Sequence, residues 1–408
     1  MPKLNSDGNI IIFQISLVIL ILIILFTYNL KNSYLTTTVL NNKTEFIGVN
    51  MKGKFTSLNY ERFSEITFPS DYYEESFKLI KNIGMNHVRY VFYWEAYERN
   101  PELFINELEK VASTADRLGL NIIYDNHQFH TSSWFDQRGT GFPSLLIDPT
   151  KYSYDSSNGN ITNLYINNWW TNWWNDNIKG PNDEHGWILQ ANFLKTVVKL
   201  LDTHPSTLGY EILNEPTINV TSQWPKVGKY YRFMADQLRE HTNKTIVLDM
   251  TIPIKFSDIN LNMTSSNMAV IIPTNHKNLV FKISLYGLPD INKFQKRKLD
   301  LLTDVSHTAN IPLYIGEWND ITREEIANSG KSNINITASD LLQNASDSFV
   351  NEFKHMDLWG WAFWNWNYVN TPPQNFNLIK VIDGKIIPTK YYEILRNSMN
   401  KYYSNSEN

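Results

Sequence analysis

No cysteine occurs anywhere in the 408 residues. Disulfides, thiolate nucleophiles and zinc–thiolate centres are therefore excluded. Export is not excluded, because a core of this size needs no covalent staples. Neither sign of charge is in large excess. With 37 Lys plus Arg against 41 Asp plus Glu, the net charge is -4 and the pI near 6.2, so no basic footprint for nucleic acid exists. No Gly-rich phosphate turn follows any apolar run, and no internal repeat is visible. Long hydrophobic runs are absent with one exception, Ile10 to Tyr28, interrupted only by Gln14, Ser16 and Thr27.

Those nineteen residues span about 28 Å as a helix, close to the ~30 Å hydrocarbon core of a bilayer. The run leads into Asn29-Leu30-Lys31 without a small-residue cleavage site, so it reads as an uncleaved signal-anchor rather than a cleaved signal peptide. Lys3 on one side and Lys31 and Lys43 on the other are too few to orient it. The expected organisation is a flank at 1–9, a transmembrane segment at 10–28, a polar tether at 29–45, a domain at 46–400 and a tail at 401–408.

What the chain has in abundance is aromatic surface, 13 Trp and 22 Tyr, with several in stretches that read as loops. From Phe46 onward, short apolar runs alternate with longer amphipathic ones. Strands are expected at 46–50, 86–91, 120–125, 208–213, 245–250, 279–286, 311–316 and 358–364. Helices are expected at 72–83, 104–118, 187–202, 226–241, 291–307, 338–355 and 390–399. Eight strands alternating with helices predict an α/β fold, a single (β/α)8 TIM barrel preceded by the transmembrane helix.

Two of these strands end in a glutamate. EILNEP (211–216) carries Glu215 and PLYIGEW (312–318) carries Glu317. A carboxylate at the end of an apolar strand is costly without a partner or a task, and two of them make up the pair that glycoside hydrolysis requires, an acid/base and a nucleophile. In a barrel of this kind chemistry sits at the C-terminal ends of strands. Arg89, Asp125, His127, Asn214, Glu215, Tyr286, Glu317 and Trp364 all fall at or just beyond expected strand ends. Asp125, His127 and His130 also form a metal-ligand combination, but no second cluster supports a metal site. No metal and no cofactor is expected.

With NEP at 214–216 closing the fourth strand and GEW at 316–318 closing the seventh, the chain resembles glycoside hydrolase family 5, the cellulase-like retaining β-glycosidases, from about Phe46 to Trp366. The resemblance implies Glu215 as acid/base and Glu317 as nucleophile. It implies that Arg89 holds the nucleophile ionised, that His127 belongs to the substrate site and that Asn214 donates to the hydroxyl beside the reacting carbon. Tyr286 would hydrogen-bond the nucleophile, and Trp364 would floor the reacting sugar. One position departs from the family pattern: Ser284 stands where a histidine usually precedes the strand-six tyrosine.

About sixty residues (126–186) separate the third strand from the next helix, far beyond an ordinary connection. This loop carries WWTNWW (169–174) and Trp134. Trp134, Trp169, Trp170, Trp173 and Trp174 are candidates to stack on pyranose faces. The spacing of the last four also makes one helical stripe that would pack the loop onto the barrel, and both readings stand.

The resulting expectation is a membrane-tethered retaining endo-β-1,4-glucanase acting on a β-linked polysaccharide or oligosaccharide. It would be a single-pass cell-membrane protein with its domain outside, or alternatively a secreted one. The alternatives are a mannan-, oligosaccharide- or glycolipid-directed enzyme on the same fold, or a non-catalytic glycan-binding barrel.

Overall fold

Alternation along LVFKISL (279–285) shows how the strands build the molecule. Leu279, Phe281, Ile283 and Leu285 face outward into the main hydrophobic core under the helices, whereas Val280 faces inward to a small interior cluster. The period of two that puts successive side chains on opposite faces then places Lys282 and Ser284 inside as well. Helix ends are equally local. Asn100 accepts from the Leu103 N–H at 3.0 Å, Pro101 takes the first helical position, and Gly119 closes the helix at a left-handed φ of 65°, the arrangement expected of an N-cap, an N1 proline and a glycine stop.

The computed structural model describes residues 45–57, 68–135, 139–148, 163–250, 252–253, 264–286, 293–319, 338–367 and 377–404. The expected membrane span 10–28 and residues 29–44 of the tether lie outside them. Among the described residues no helix is long and apolar enough to cross a membrane.

Eight parallel strands close into a barrel: β1 (Phe46–Lys52), β2 (His87–Phe92), β3 (Asn121–Asn126), β4 (Thr207–Glu211), β5 (Thr245–Asp249), β6 (Leu279–Leu285), β7 (Leu313–Trp318) and β8 (Leu358–Phe363). Each pairs with its successor, and β8 closes onto β1 with Val49 opposite Phe363. The larger helices are α1 (Tyr72–Asn82), α2 (Pro101–Leu118), α3 (Asn163–Trp174), α4 (Gly186–Leu201), α5 (Trp224–Arg239), α6 (Lys293–Ala309), α7 (Ala338–Lys354) and α8 (Lys390–Ser404). The (β/α)8 expectation is met. The last helix runs through Ser404, into the expected tail, because Met399 and Tyr402 bury against the core.

The barrel interior is filled at one level by Ile123, Val247, Val280, Tyr314 and Ala362. One inward step farther along the strands, the same faces carry Asp125, Asp249, Lys282 and Trp364. The polar layer is thus laid over an apolar plug by strand periodicity alone. Strand ends differ from expectation by up to two residues, β1 for one running on through Lys52. β4 stops at Glu211, since the chain turns at Glu215 with a left-handed φ of 42°. β7 extends through Trp318 and carries Glu317 within it, opposite Ser284, with a register shift in the pairing just before.

The long connection between β3 and α4 is structured where described. Its helix α3 presents Trp169, Trp170, Trp173 and Trp174 inward, each no more than 1% exposed. Trp169 and Trp173 stack at 5.3 Å, Trp173 meets the Tyr230 ring of α5 edge-on, and Phe142 packs among them. Three of the four indoles donate to groups of the protein, Trp169 to the Leu146 carbonyl at 3.3 Å, Trp170 to Thr131 Oγ1 and Trp174 to the Thr217 carbonyl, the last two at 2.8 Å. These four are therefore not sugar platforms: burying their apolar faces fixes the insertion to the barrel wall. Trp134, by contrast, is 55% exposed.

Candidate active site

Arg89 on β2 is the hub of the polar layer. It is fully buried, and its guanidinium donates through Nε and Nη2 to both oxygens of Glu211 at 2.7 Å. Nη2 also lies 2.9 Å from Asp125 Oδ2 and donates to Asn214 Oδ1 at 2.9 Å. Nη1 donates to Asn50 Oδ1 at 2.8 Å and to Glu317 Oε1 at 3.0 Å. A buried guanidinium survives only when its donors are met, and here carboxylates from three strands meet them.

The second oxygen of Glu317 accepts from Tyr286 Oη at 2.7 Å. Burial alone would raise the Glu317 carboxyl. Lys282 foremost, then Arg89 and the Tyr286 hydrogen bond, outweigh it and hold the group down at about 2. Burial and the adjacent Glu317 carboxylate push the Tyr286 phenol well above its ordinary range, so it remains a donor. Glu317 is accordingly an ionised, oriented carboxylate.

Glu215 lies just past β4 and is half-buried. Its backbone is gripped from two sides: its N–H donates to Asp249 Oδ2 at 2.5 Å, and Gln128 Nε2 donates to its carbonyl at 2.7 Å. Asn214 beside it is saturated. Its Oδ1 accepts from Arg89 and Lys282, while Nδ2 donates to the Gln128 carbonyl at 3.1 Å and faces His127 Nε2 at 3.2 Å. To donate to a sugar hydroxyl, as expected, Asn214 would exchange one of those partners.

His127 bonds Asp125 Oδ2 through Nδ1 at 2.7 Å. Burial holds the ring neutral, well below its ordinary value, which makes Nδ1 the donor and Nε2 the acceptor. Its ring stacks on Trp364 at 5.4 Å and 19°. Lys52, at the end of β1, places Nζ 5.0 Å from the Trp364 ring and 5.5 Å from that of Tyr93. Burial lowers its ammonium to about 7 despite the nearby Glu317 and Asp125. The described residues contain no group of three or more His, Asp or Glu side chains disposed to hold a metal.

Strand-end reasoning thus brings together Arg89, His127, Asn214, Tyr286, Glu317 and Trp364 in one contact network, with Glu215 on its edge. Exposed Trp134 lies farther along the β3 loop, and the other four loop tryptophans lie outside the network. Asn50, Glu211, Asp249 and Lys282 were not anticipated. The signal was present: Asp249 and Lys282 are charges on the inward phase of TIVLDM and FKISLY, and Glu211 stands four residues before Glu215.

A closed parallel barrel with its ionisable side chains gathered toward the C-terminal ends of the strands is the architecture of a barrel enzyme. The family model Cellulase (glycosyl hydrolase family 5) matches residues 47–370, and the chain belongs to that family. Among curated proteins, an endoglycoceramidase of Hydra vulgaris is 26% identical over 197 residues, covering 40% of this chain and 34% of that protein. The chain therefore matches only about a third of that relative's length. Among solved structures, an endogalactoceramidase superposes with a TM-score of 0.60 at 14% identity, covering 87% of this chain and 81% of the other. An endo-β-1,4-glucanase from Xanthomonas axonopodis pv. citri, carrying a triple mutation, gives 0.56 at 14% identity, covering 88% and 99%. At such identities the superpositions establish the fold.

Proposed function

We propose that this glycoside hydrolase cleaves a β-glycosidic bond with retention, Glu317 acting as nucleophile and Glu215 as general acid/base. The observation that carries the reading is the asymmetry of the two carboxyl groups. Glu317 is buried between two cations and a phenol, as a nucleophile that must stay ionised requires. Glu215 is half-open, on a clamped backbone, as a group that must face the leaving oxygen and then a water requires. In the proposed sequence Glu317 attacks the anomeric carbon while Glu215 protonates the leaving oxygen. Water activated by Glu215 then releases the sugar. Trp364, stacked against His127, would floor the reacting sugar.

For the substrate we favour a glycolipid over a free polysaccharide. Support comes from the Hydra relative named as an endoglycoceramidase and from Phe129 and Trp134, 46% and 55% exposed on the loop after β3. In the same reading, the apolar run 10–28 tethers the barrel on the outer face of the membrane where such lipids lie. The family description Cellulase keeps β-1,4-glucan as the second reading. Full-length protein in detergent, given a β-glucosyl or β-lactosyl ceramide and a soluble β-1,4-glucan in parallel, should release sugar from the lipid. Release from the glucan alone would restore the glucanase reading. Inertness toward both, and toward aryl β-glycosides, would leave a glycan-binding barrel.

A further inference from the structure

Lys282 is the buried charge that the two-glutamate reaction does not itself call for. It is wholly enclosed on the inner face of β6, and its ammonium has three N–H donors. All three are met: Asp249 Oδ2 at 2.7 Å, Asn214 Oδ1 at 2.7 Å and Ser284 Oγ at 3.0 Å. Just beyond bonding distance lie Glu317 Oε1 at 3.6 Å and Glu211 Oε1 at 3.9 Å.

Two further contacts make this more than a satisfied ion pair. The Asp249 oxygen that Lys282 holds also accepts the backbone N–H of Glu215 at 2.5 Å. That residue sits at φ 42°, a conformation uncommon for anything but glycine and in need of outside support. On its other side, the lysine stem lies against Gly316, the residue before Glu317. A Cβ at 316 would stand 2.6 Å from Lys282 Cε and 2.7 Å from Cγ. The lysine stem thus occupies the space that a side chain at 316 would take, and the register shift that aims Glu317 forms where the two meet.

We infer that Lys282 is a positioning residue that sets both catalytic glutamates at once, its stem shaping the turn of backbone that carries Glu317 and its ammonium, through Asp249, holding Glu215. This rests on the reading of those glutamates as the catalytic pair. Ser284 fits the same arrangement. Its hydroxyl supplies the lysine's third acceptor, at the position where the sequence departs from the family pattern. The groups facing Glu317 are Lys52 from β1, Arg89 from β2, Asp125 and His127 from β3, and Lys282 and Tyr286 from β6. Those facing Lys282 are Arg89, Glu211 from β4 and Asp249 from β5. Removing Lys282 leaves Arg89 and Lys52 as the only cations in this set, so the Glu317 carboxyl must rise.

The test is kinetic, on an aryl β-glycoside with full-length protein. Lys282→Met keeps the stem and removes the charge. It should move the acidic limb of kcat/KM up by at least one pH unit, about a tenfold loss below the limb, and Lys282→Arg should restore part of it. Asp249→Asn should leave that limb in place and lower kcat more than kcat/KM, because holding Glu215 matters most when it acts as base, and azide should accelerate this variant. If Lys282→Met does not fold, Ser284→Ala withdraws the lysine's third acceptor while keeping its charge and should displace the limb by less. Wild-type pH profiles in the folded Lys282 and Ser284 variants, with only the melting temperature lowered, would reduce Lys282 to a structural ion pair. Glu317→Gln serves as control: activity surviving there would overturn the catalytic reading itself, a result distinct from a silent lysine.

Discussion

The phenol of Tyr286 donates to Oε2 of Glu317 across 2.7 Å, leaving Oε1 to Arg89. A hydrogen bond to a buried charge contributes about 1.5–3 kcal/mol. Tyr286→Phe should therefore reduce kcat/KM on an aryl β-glycoside by about tenfold to a hundredfold and raise its acidic limb. Unchanged kinetics would show that the phenol does not support the nucleophile.

The division of labour between the glutamates is separable by substitution. Glu317→Gln should abolish turnover on every substrate, because an amide cannot form the glycosyl-enzyme bond. Glu215→Ala should still form the intermediate from a substrate with a good leaving group, and azide should rescue its turnover as a β-glycosyl azide. Rescue to the same β product in a Glu317 variant instead would reverse the roles. Retention also requires the first-formed sugar to be the β anomer and the carboxyl groups to stand about 5–5.5 Å apart, which product NMR and a crystal structure check.

Acid stability follows from the sign of the Glu317 shift. Its folded carboxyl is held at about 2, below the ordinary 4.5. The stabilisation it gives is therefore present above pH 4.5 and is lost as pH falls toward 2. Glu317→Gln should melt lower than wild type at pH 7, yet its melting temperature should fall less between pH 5 and 3. Parallel decline in the two proteins would place the acid-sensitive groups elsewhere.

The tryptophans of the long insertion should divide by burial. Trp173→Ala removes an indole enclosed by Trp169, Phe142 and Tyr230 and should cost about 3–5 kcal/mol of stability. Trp134→Ala, at an exposed site, should change stability by no more than about 0.5 kcal/mol and raise KM for the natural glycan. A rise in KM for Trp173→Ala at unchanged stability would contradict the packing role.

The insertion also shows what a linear pattern leaves open. The i, i+1, i+4, i+5 spacing of Trp169, Trp170, Trp173 and Trp174 specifies a stripe on one helix face, and a stripe of indoles serves packing and sugar stacking equally well. Only the position of α3 against α5 removes the second use. Asn214 is similar: its residue type and place beside Glu215 are legible, but that both amide hydrogens are engaged depends on Gln128 and His127 arriving from another strand.

The chain's order of residues by itself determined the barrel, because the period of two in each strand and the amphipathic segments between them are local properties. It determined the pair Glu215 and Glu317 as well, since a carboxylate ending an apolar strand stands out against its own neighbours. The network beneath them is a different matter. Lys282, Asp249, Glu211 and Asn50 read as isolated polar residues in apolar runs, and only the closed barrel links them, Lys282 to Asp249 directly and Glu211 and Asn50 through Arg89. Electrostatic coupling depends on separation in space, not along the chain, so which charges meet was decided by the tertiary structure alone.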